Sequence, residues 1–308
     1  MTSFLKNIAT SSNLLFIAAI ALGMVLPQAA FVTFFLILPA LTVILTVTLL
    51  RYPRGFFRQP KKLIPATLLG NLMNYIILGN IIILGSIFLI RDEKIWVGMV
   101  LIAAMPPAVC ILSLGEKILA DQLLTLAGLA GTYAAAVILT PLIGIAFLKF
   151  IPISYTKLIV LVLSLIALPL IFSRMALDRK WENEIRNRAG QITDGCYFII
   201  YYTLAARNAE LIKQWPVELL LISAIAIVSI VLVNAGFFLI RKFYKFDDQY
   251  LSSLLLLGTM KNYGLAGVIA LYVFHSAAAL PALIFAIFMF VYCVWLKVKT
   301  GRPSPATF

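Results

Sequence analysis

Long apolar stretches, separated by short polar or charged connections, run through nearly the whole chain of 308 residues. Many of them are about 20 residues long, the length that an α-helix needs to cross the hydrocarbon core of a membrane. We therefore expect an all-α membrane protein in which residues 1–308 form a single integral unit. The pattern predicts ten transmembrane helices, at approximately 13–27, 31–50, 63–89, 95–114, 122–148, 157–174, 192–209, 217–240, 250–274 and 279–297.

Ten crossings divide into two sets of five. An odd number of helices in each half would insert the second half upside down relative to the first. This 5+5 inverted repeat is an arrangement typical of secondary transporters, in which interrupted helices form the site near the middle of the membrane. The halves share no evident sequence identity, so the prediction depends on irregularities at matching places, in the fourth and ninth segments.

Both irregular segments contain residues that interrupt helices. In the fourth, Pro106 and Pro107 remove two backbone donors and crowd the preceding turn. In the ninth, Gly258 and Gly264 bracket the polar run Thr259–Tyr263. A broken helix in a membrane is tolerated where it is buried in protein or lines a cavity. We predict a binding site where the two segments cross; the alternative is a proline kink plus a glycine-mediated helix contact.

Lys261 lies in the middle of the apolar run Leu251–Phe274. An ammonium group in hydrocarbon costs roughly 3 kcal/mol on insertion scales, so such residues usually face a watery cavity, a substrate or a counter-charge. A cation at a helix crossing, together with the amides of a broken helix, attracts anions. The alternative is a structural ion pair with an intramembrane acid, although no acidic residue lies clearly in the middle of a segment.

Composition and charge narrow the class of protein. With 63% hydrophobic and 12% charged residues, and a mean hydropathy of +1.04, the chain has too little polar surface for a soluble domain. The net charge is +13, but most of the 25 Lys and Arg residues fall in connections on one side, including 51–62, 174–188 and 241–245. This asymmetry predicts cytoplasmic N- and C-termini in a bacterial inner membrane, and not a nucleic-acid partner.

The sequence shows no sign of enzymatic chemistry. It contains neither a His-Glu-x-x-His nor a Gly-x-Ser-x-Gly motif. Its cysteines, Cys110, Cys196 and Cys293, are widely spaced and are interpreted as packing residues rather than as disulfides or metal ligands. We expect no cofactor and no catalytic residues.

A few other polar residues are candidates for lesser roles. Glu116 and Asp121 are expected to be solvated at the cytoplasmic face, with a gating pair to Lys117 or Lys261 as the alternative. Asp194 opens the seventh segment and is expected to cap a helix N-terminus, with a transport role as the alternative.

Aromatic residues and the single histidine are also ambiguous. His275, at the outer end of the ninth segment, is interpreted as interfacial, with a proton relay as the alternative. Tyr197, Tyr201 and Tyr202 fit interfacial packing or the wall of a vestibule for an amphipathic substrate.

Two regions resemble the bile acid:sodium symporter family, within the superfamily of bile acid, arsenite, riboflavin and auxin carriers. They are Tyr244–Leu271, with its Gly-Thr-Met-Lys-Asn-Tyr-Gly-Leu-Ala run, and Met105–Pro141. The resemblance implies ten helices in two domains, with the broken fourth and ninth helices crossing in the core. The panel would comprise about 13–50 and 157–209, and the core about 63–148 and 217–297.

The chain departs from this family at the positions that bind sodium. The family's ninth-helix Glu and Gln fall on Leu257 and Lys261, whereas Met260 and Asn262 agree. Its fourth-helix glycine pair falls on Pro107 and Ala108, its Ser-Asn pair on Ile111 and Leu112, and its third-helix Gln on Gly70, beside Asn71. Sodium requires several oxygen ligands, so we predict that the usual sodium sites are absent.

The sequence therefore predicts a monomeric secondary transporter for a small or amphipathic organic anion, working by alternating access in the lipid bilayer. Lys261 would be either a fixed cation in place of sodium or a proton carrier. A transport-inactive sensor and a sodium-coupled symporter with unusual ligands are the alternatives. The predicted substrate-binding and coupling residues are Lys261, Asn262, Thr259, Met260, Tyr263, Pro106, Pro107, Ala108 and Asn71.

Overall fold

The computed structural model describes residues 11–53, 55–56, 60–149 and 155–299. The basic residues Lys6, Arg54, Arg58 and Arg302, which contribute to the predicted orientation, lie outside this part of the chain. The described residues are helical, with no named strand among them. The helices are α1 (Ser11–Val25), α2 (Ala30–Leu49), α3 (Pro60–Asn71), α4 (Asn80–Leu89), α5 (Glu93–Ala104), α6 (Ile111–Ile118), α7 (Gln122–Phe147), α8 (Tyr155–Asp178), α9 (Glu182–Asn187), α10 (Ala189–Gln214), α11 (Pro216–Phe243), α12 (Asp248–Thr259), α13 (Tyr263–Val273) and α14 (Ser276–Lys299).

Six helical spans within the described residues are long and apolar enough to cross a membrane, by length and composition. This finding fits an all-α integral membrane protein. Each predicted segment overlaps helix, but the count of ten crossings and the inverted repeat stay predictions. The six spans are Pro27–Leu49, Leu63–Leu89, Gln122–Phe147, Thr156–Asp178, Pro216–Phe243 and Ser276–Lys299.

The long helices pack as two sets. In the first group, α10 packs against α1 and α2, and α2 packs against α8. In the second group, α3 packs against α7, α14 packs against α5, α11 and α13, and α11 packs against α12. The groups meet where α8 contacts α7 and where α10 contacts α14. The first group covers the predicted panel and the second group the predicted core. That these groups act as two functional domains stays a prediction.

The helical segment between α3 and α4 is wider than an α-helix. Residues Leu72–Gly79 form a π-helix that joins α3 to α4. The wider turn places Asn74 and Tyr75 in the interior, where both are buried. Short π-helical insertions of this kind often occur at functional sites.

Helices α5 and α14 pack closely at Gly98. A Cβ atom at this position would lie 2.2 Å from the carbonyl oxygen of Ala278, a distance that real side chains do not adopt. Glycine therefore permits the close approach of the two helices. This contact fixes α5, whose C-terminal end leads into the site described below, against α14.

Candidate functional site

The first break in the helices comprises Met105–Cys110. Helix α5 ends at Ala104, Met105 is extended, and α6 begins at Ile111. The cause is local, because Pro106 and Pro107 have no backbone N–H and their rings crowd the preceding turn. The interruption leaves the last carbonyl groups of α5 without helical partners.

The second break comprises Met260–Asn262. Helix α12 ends at Thr259, Met260 is extended, and α13 begins at Tyr263. Asn262 starts the new helix as its N-cap, since its Oδ1 accepts a hydrogen bond of 3.0 Å from the Leu265 amide. Both sequence-predicted interruptions therefore coincide with interruptions in the structure.

The two breaks cross and bond to each other through their main chains. Pro107 and Lys261 form an isolated antiparallel β-bridge. The Ala108 amide donates to the Met260 carbonyl at 3.1 Å, and the Asn262 amide donates to the Pro106 carbonyl at 2.8 Å. Buried main-chain groups in a membrane need internal partners, and each break supplies them to the other.

The amine of Lys261 lies at the C-terminal end of α5. Its side chain is fully buried, and Nζ donates to the carbonyl oxygens of Ala103 and Met105, each at 2.9 Å. Nζ also lies 5.0 Å from the centre of the Tyr75 ring. The C-terminal end of a helix and the face of an aromatic ring both attract cations. Lys261 takes part in none of the ion pairs found among the described residues.

Two residues that sequence reasoning missed also cap the end of α5. Asn74 Nδ2 donates to the Met105 carbonyl at 2.9 Å, and Thr140 Oγ1 donates to the Ala104 carbonyl at 2.9 Å. The predicted Asn71 instead donates to the Thr67 carbonyl of its own helix at 2.8 Å. Asn74 is one helical turn beyond Asn71 and equally visible in the sequence, but the π-helix that turns it inward has no evident sequence signal.

The remaining predicted residues in and beside the second break have fixed partners. Asn262 Nδ2 donates to the hydroxyl of Tyr133 at 2.7 Å. Thr259 Oγ1 donates to the Leu255 carbonyl at 2.7 Å, within its own helix. Tyr263 is buried, with its ring centre 5.5 Å from that of Phe285. Asn262 and Tyr263 line a cavity, which we call the first cavity.

The first cavity lies between the two groups of helices and has a volume of about 180 Å³. Its walls come from α1 and α10 of the first group, from α14 of the second group and from both breaks. Ala108 and Asn262, each next to a residue of the β-bridge, form part of the wall. Lys261 itself does not line this cavity. The lining also includes Phe16, Tyr197, Tyr201 and Phe290.

Two charged residues line the first cavity, and the sequence analysis considered only one of them, Asp194. Asp194 and Lys297 both line it. Asp194 accepts a hydrogen bond of 2.6 Å from Ser12 Oγ. The prediction that Asp194 caps a helix N-terminus is wrong, because α10 begins earlier, at Ala189, with Arg188 as its N-cap.

The predicted tyrosine cluster divides between two environments. Tyr197 and Tyr201 are part of the wall of the first cavity, with ring centres 6.0 Å apart. Tyr202 is not, and its hydroxyl donates to the Leu26 carbonyl. The vestibule interpretation therefore applies geometrically to the first two residues only.

A second cavity, of about 200 Å³, lies between α2 and α8 of the first group and α7 of the second. It is bounded by apolar side chains together with Tyr52, Thr48 and Tyr133. Along the first break, Val109 contacts the second cavity, whereas Ala108 and Cys110 contact the first. The two cavities thus contact different residues of the same break, and the Asn262–Tyr133 hydrogen bond connects their walls.

The acidic residues near α6 have structural partners. Glu116 forms an ion pair of 3.8 Å with Arg51. Asp121 caps α7, since Oδ1 accepts a hydrogen bond of 3.0 Å from the Leu124 amide. The interactions that are resolved for these two residues do not include a pair with Lys261, which was one predicted alternative.

His275 lies in the connection between α13 and α14. Its Nδ1 accepts a hydrogen bond of 3.3 Å from the Ala278 amide, so it caps the following helix. Partial burial lowers its pKa below the usual 6.5, and the nearby Lys94 lowers it further. The neutral ring is therefore favoured at neutral pH.

The three positions at which we expected sodium ligands to be absent carry hydrocarbon side chains. Leu257, Ile111 and Leu112 are all buried. Among the described residues, there is no group of three or more His, Cys, Asp or Glu side chains that could hold a metal ion. The polar atoms at the crossing are instead the main-chain carbonyls bound by Lys261, Asn74 and Thr140.

Comparison with known proteins gives no assignment: no protein-family model matches the chain, and no curated protein matches it.

Proposed function

We propose that the protein is a secondary carrier for a small or amphipathic organic anion, and that it works by alternating movement of the two groups of helices. The observation that carries this proposal is the crossing of two interrupted helices around a buried lysine, beside a cavity between the groups. Interrupted helices that cross near the middle of the membrane are the usual substrate site of secondary transporters.

In this proposal, Lys261 is a built-in cation. Two carbonyl oxygens and the Tyr75 ring surround its amine, an environment that suits an ammonium group. A positive charge in a low-dielectric interior acts over a longer range than in water. Together with the N-terminal ends of α6 and α13, it favours an anionic group in the first cavity, although the amine does not enter that cavity.

The first cavity provides the two kinds of surface that an amphipathic anion requires. Phe16, Tyr201 and Phe290 offer aromatic faces for its apolar part. Asn262 and Lys297 offer polar contacts for its charged part. We place the substrate here, between the groups, because relative movement of the groups would change access to it.

Transport is proposed to be independent of sodium. The positions that would supply sodium ligands carry Leu257, Ile111 and Leu112, which have no side-chain oxygen. The crossing instead contains the amine of Lys261, which donates to the carbonyl oxygens of Ala103 and Met105. We further propose the 5+5 inverted repeat, a panel formed by the first group, a core formed by the second, and cytoplasmic termini.

Reconstituted protein tests the proposal directly. A thermal-shift screen of small and amphipathic carboxylates would first select a ligand, and uptake of that labelled ligand into proteoliposomes would then be measured. We expect saturable uptake with potassium or choline as the external cation and no stimulation by sodium. Saturable dependence on sodium would refute the proposal that sodium ligands are absent. Binding of the anion without uptake would favour a sensor.

The role of Lys261 is tested by Lys261→Gln, which keeps a hydrogen-bond donor but removes the charge. We expect at least a tenfold lower affinity for the anion, on the order of 1.4 kcal/mol, in a protein that still folds. Lys242→Gln, on the exposed end of α11, is the matched control and should leave affinity unchanged. Equal anion affinity in Lys261→Gln and the native protein would remove Lys261 from the proposed mechanism.

A further inference from the structure

Three sulfur atoms meet beside the first cavity. Cys110 ends the first break, Met260 begins the second, and Cys293 lies on α14. The Sγ atom of Cys293 lies 3.9 Å from Sδ of Met260. Cys110 lines the same cavity as Cys293, and the two thiols lie close to each other. These three residues, which we call the sulfur cluster, come from three separate parts of the chain.

The spacing of the sulfur cluster suits a shared metal ion. Three sulfurs that bind one metal in a plane, with bonds of about 2.3 Å, lie about 4.0 Å from one another. The distance from Cys293 to Met260 matches this value. Cys293 is therefore placed to share a metal ion with Met260, and Cys110 lines the same cavity.

The two thiols of the cluster are also accessible, whereas Met260 is buried. Cys110 and Cys293 line the first cavity, and both retain some accessible surface. Lys297, which carries a positive charge, lines the same cavity as both thiols. Two thiolates and one monovalent cation would carry a net charge of −1, which this lysine would partly balance.

We propose that the sulfur cluster binds one soft monovalent cation, Cu(I) or Ag(I). Thiolate and thioether ligands select such ions over hard cations. Binding forms three metal–sulfur bonds and releases the two thiol protons, and the metal keeps its oxidation state. The site does not depend on the proposed anion transport, so either proposal can fail without the other.

Competition for Cu(I) tests the site. The full-length protein, reduced and purified in detergent, would be titrated without oxygen against a bathocuproine disulfonate–Cu(I) complex. We expect one Cu(I) per native protein. Loss of a residue that merely supports a metal ligand already costs 10–100-fold in affinity, so Cys110→Ser and Cys293→Ser should each lose at least about 100-fold. Cys196→Ser is the matched control, since Cys196 does not line the cavity, and it should bind like the native protein.

Met260→Leu and X-ray absorption provide a second, independent readout. In the native protein, the copper edge should show three sulfur neighbours, and in Met260→Leu it should show two. Thermal unfolding without metal would establish that each variant folds. The proposal is overturned if the native protein binds no Cu(I), if Cys196→Ser loses as much affinity as Cys293→Ser, or if the native spectrum shows nitrogen or oxygen ligands instead.

Discussion

The carbonyl oxygen of Met105 accepts hydrogen bonds from both Lys261 Nζ and Asn74 Nδ2. Its two lone pairs are therefore both used, and one atom joins the first break, the second break and the π-helix. A buried carbonyl with no donor loses about 1–3 kcal/mol. Loss of one donor leaves the other in place, whereas loss of both leaves this oxygen without a partner.

A double-mutant cycle should reveal this sharing. We expect Lys261→Met and Asn74→Ala each to lower the free energy of unfolding. Their combination should cost more than the sum, by about 0.5–3 kcal/mol, the range for residues with a shared partner. Unfolding in detergent mixtures would measure these values. Asn208, another buried asparagine, donates to Leu204 instead, so Asn208→Ala combined with Lys261→Met should be additive; equal coupling in both cycles would contradict the interpretation.

His275 should make stability depend on pH. Its pKa is lowered in the folded protein, first by burial and then by Lys94, whereas Asp92 and Glu93 act in the opposite direction. The folded state therefore binds the proton less readily than the unfolded state. Stability should be complete above about pH 6.5 and should fall as the pH decreases through the lowered pKa.

The matched variant for this prediction is His275→Asn. Asparagine can still cap α14 but does not titrate in this range. Thermal unfolding measured from about pH 5 to 8 should show a smaller loss at acidic pH for the variant than for the native protein. Identical pH profiles would show that His275 contributes nothing to the dependence.

At the scale of elements, two interrupted helices replace their lost internal bonds with bonds to each other. The bonds between Ala108 and Met260 and between Asn262 and Pro106 do this through the main chain. Their register depends on how closely α5 approaches its neighbours. Gly98 sets this approach at the α14 contact.

Replacing Gly98 with alanine should disturb the crossing. Its Cβ would lie 2.2 Å from the Ala278 carbonyl oxygen, so we expect a loss of about 1–3 kcal/mol from overpacking. Gly236 in α11 is the matched control, since a Cβ there meets nothing within 4 Å. Gly236→Ala should be neutral or stabilising by up to about 1 kcal/mol. Thermal unfolding of both variants checks the prediction, and equal effects would contradict it.

The interruptions could be predicted from the sequence because their causes are local. Pro106 and Pro107 end a helix wherever they occur in its interior, and Asn262 is a favoured N-cap residue. The apolar run around Lys261 likewise indicated its depth. The direction of its amine could not be predicted, because the carbonyls that it binds belong to a segment more than 150 residues earlier. Asn74 was missed for a related reason, since the π-helix depends on tertiary packing.

At the scale of the whole molecule, both cavities lie between the two groups of helices. Phe16 of α1 and Phe290 of α14, which both line the first cavity, stack on each other with ring centres 4.7 Å apart. Thr33 of α2 and Thr203 of α10 share a hydrogen bond of 2.7 Å within the first group. A cross-link at the first pair would therefore restrain movement between the groups, whereas one at the second pair would restrain movement within the first group only.

Reversible cross-linking tests the proposed alternating movement. With the native cysteines replaced, Phe16→Cys/Phe290→Cys would be joined by a short bis-methanethiosulfonate reagent. If the groups move as proposed, uptake should fall at least about tenfold and return after reduction, because access on both sides requires relative domain movement. The same treatment of Thr33→Cys/Thr203→Cys should leave uptake intact. Unchanged uptake in the first pair would contradict movement at this interface.

The bridge between Pro107 and Lys261 has a consequence for how this molecule can diversify. Its bonds join peptide groups, so exchanging Ala108, which contributes to the cavity wall, would leave the joint itself in place. In the proposed carrier, the choice of anion can thus change through the wall of the cavity while the junction is inherited unchanged. Lys261 lacks that freedom, because its own side chain completes the joint.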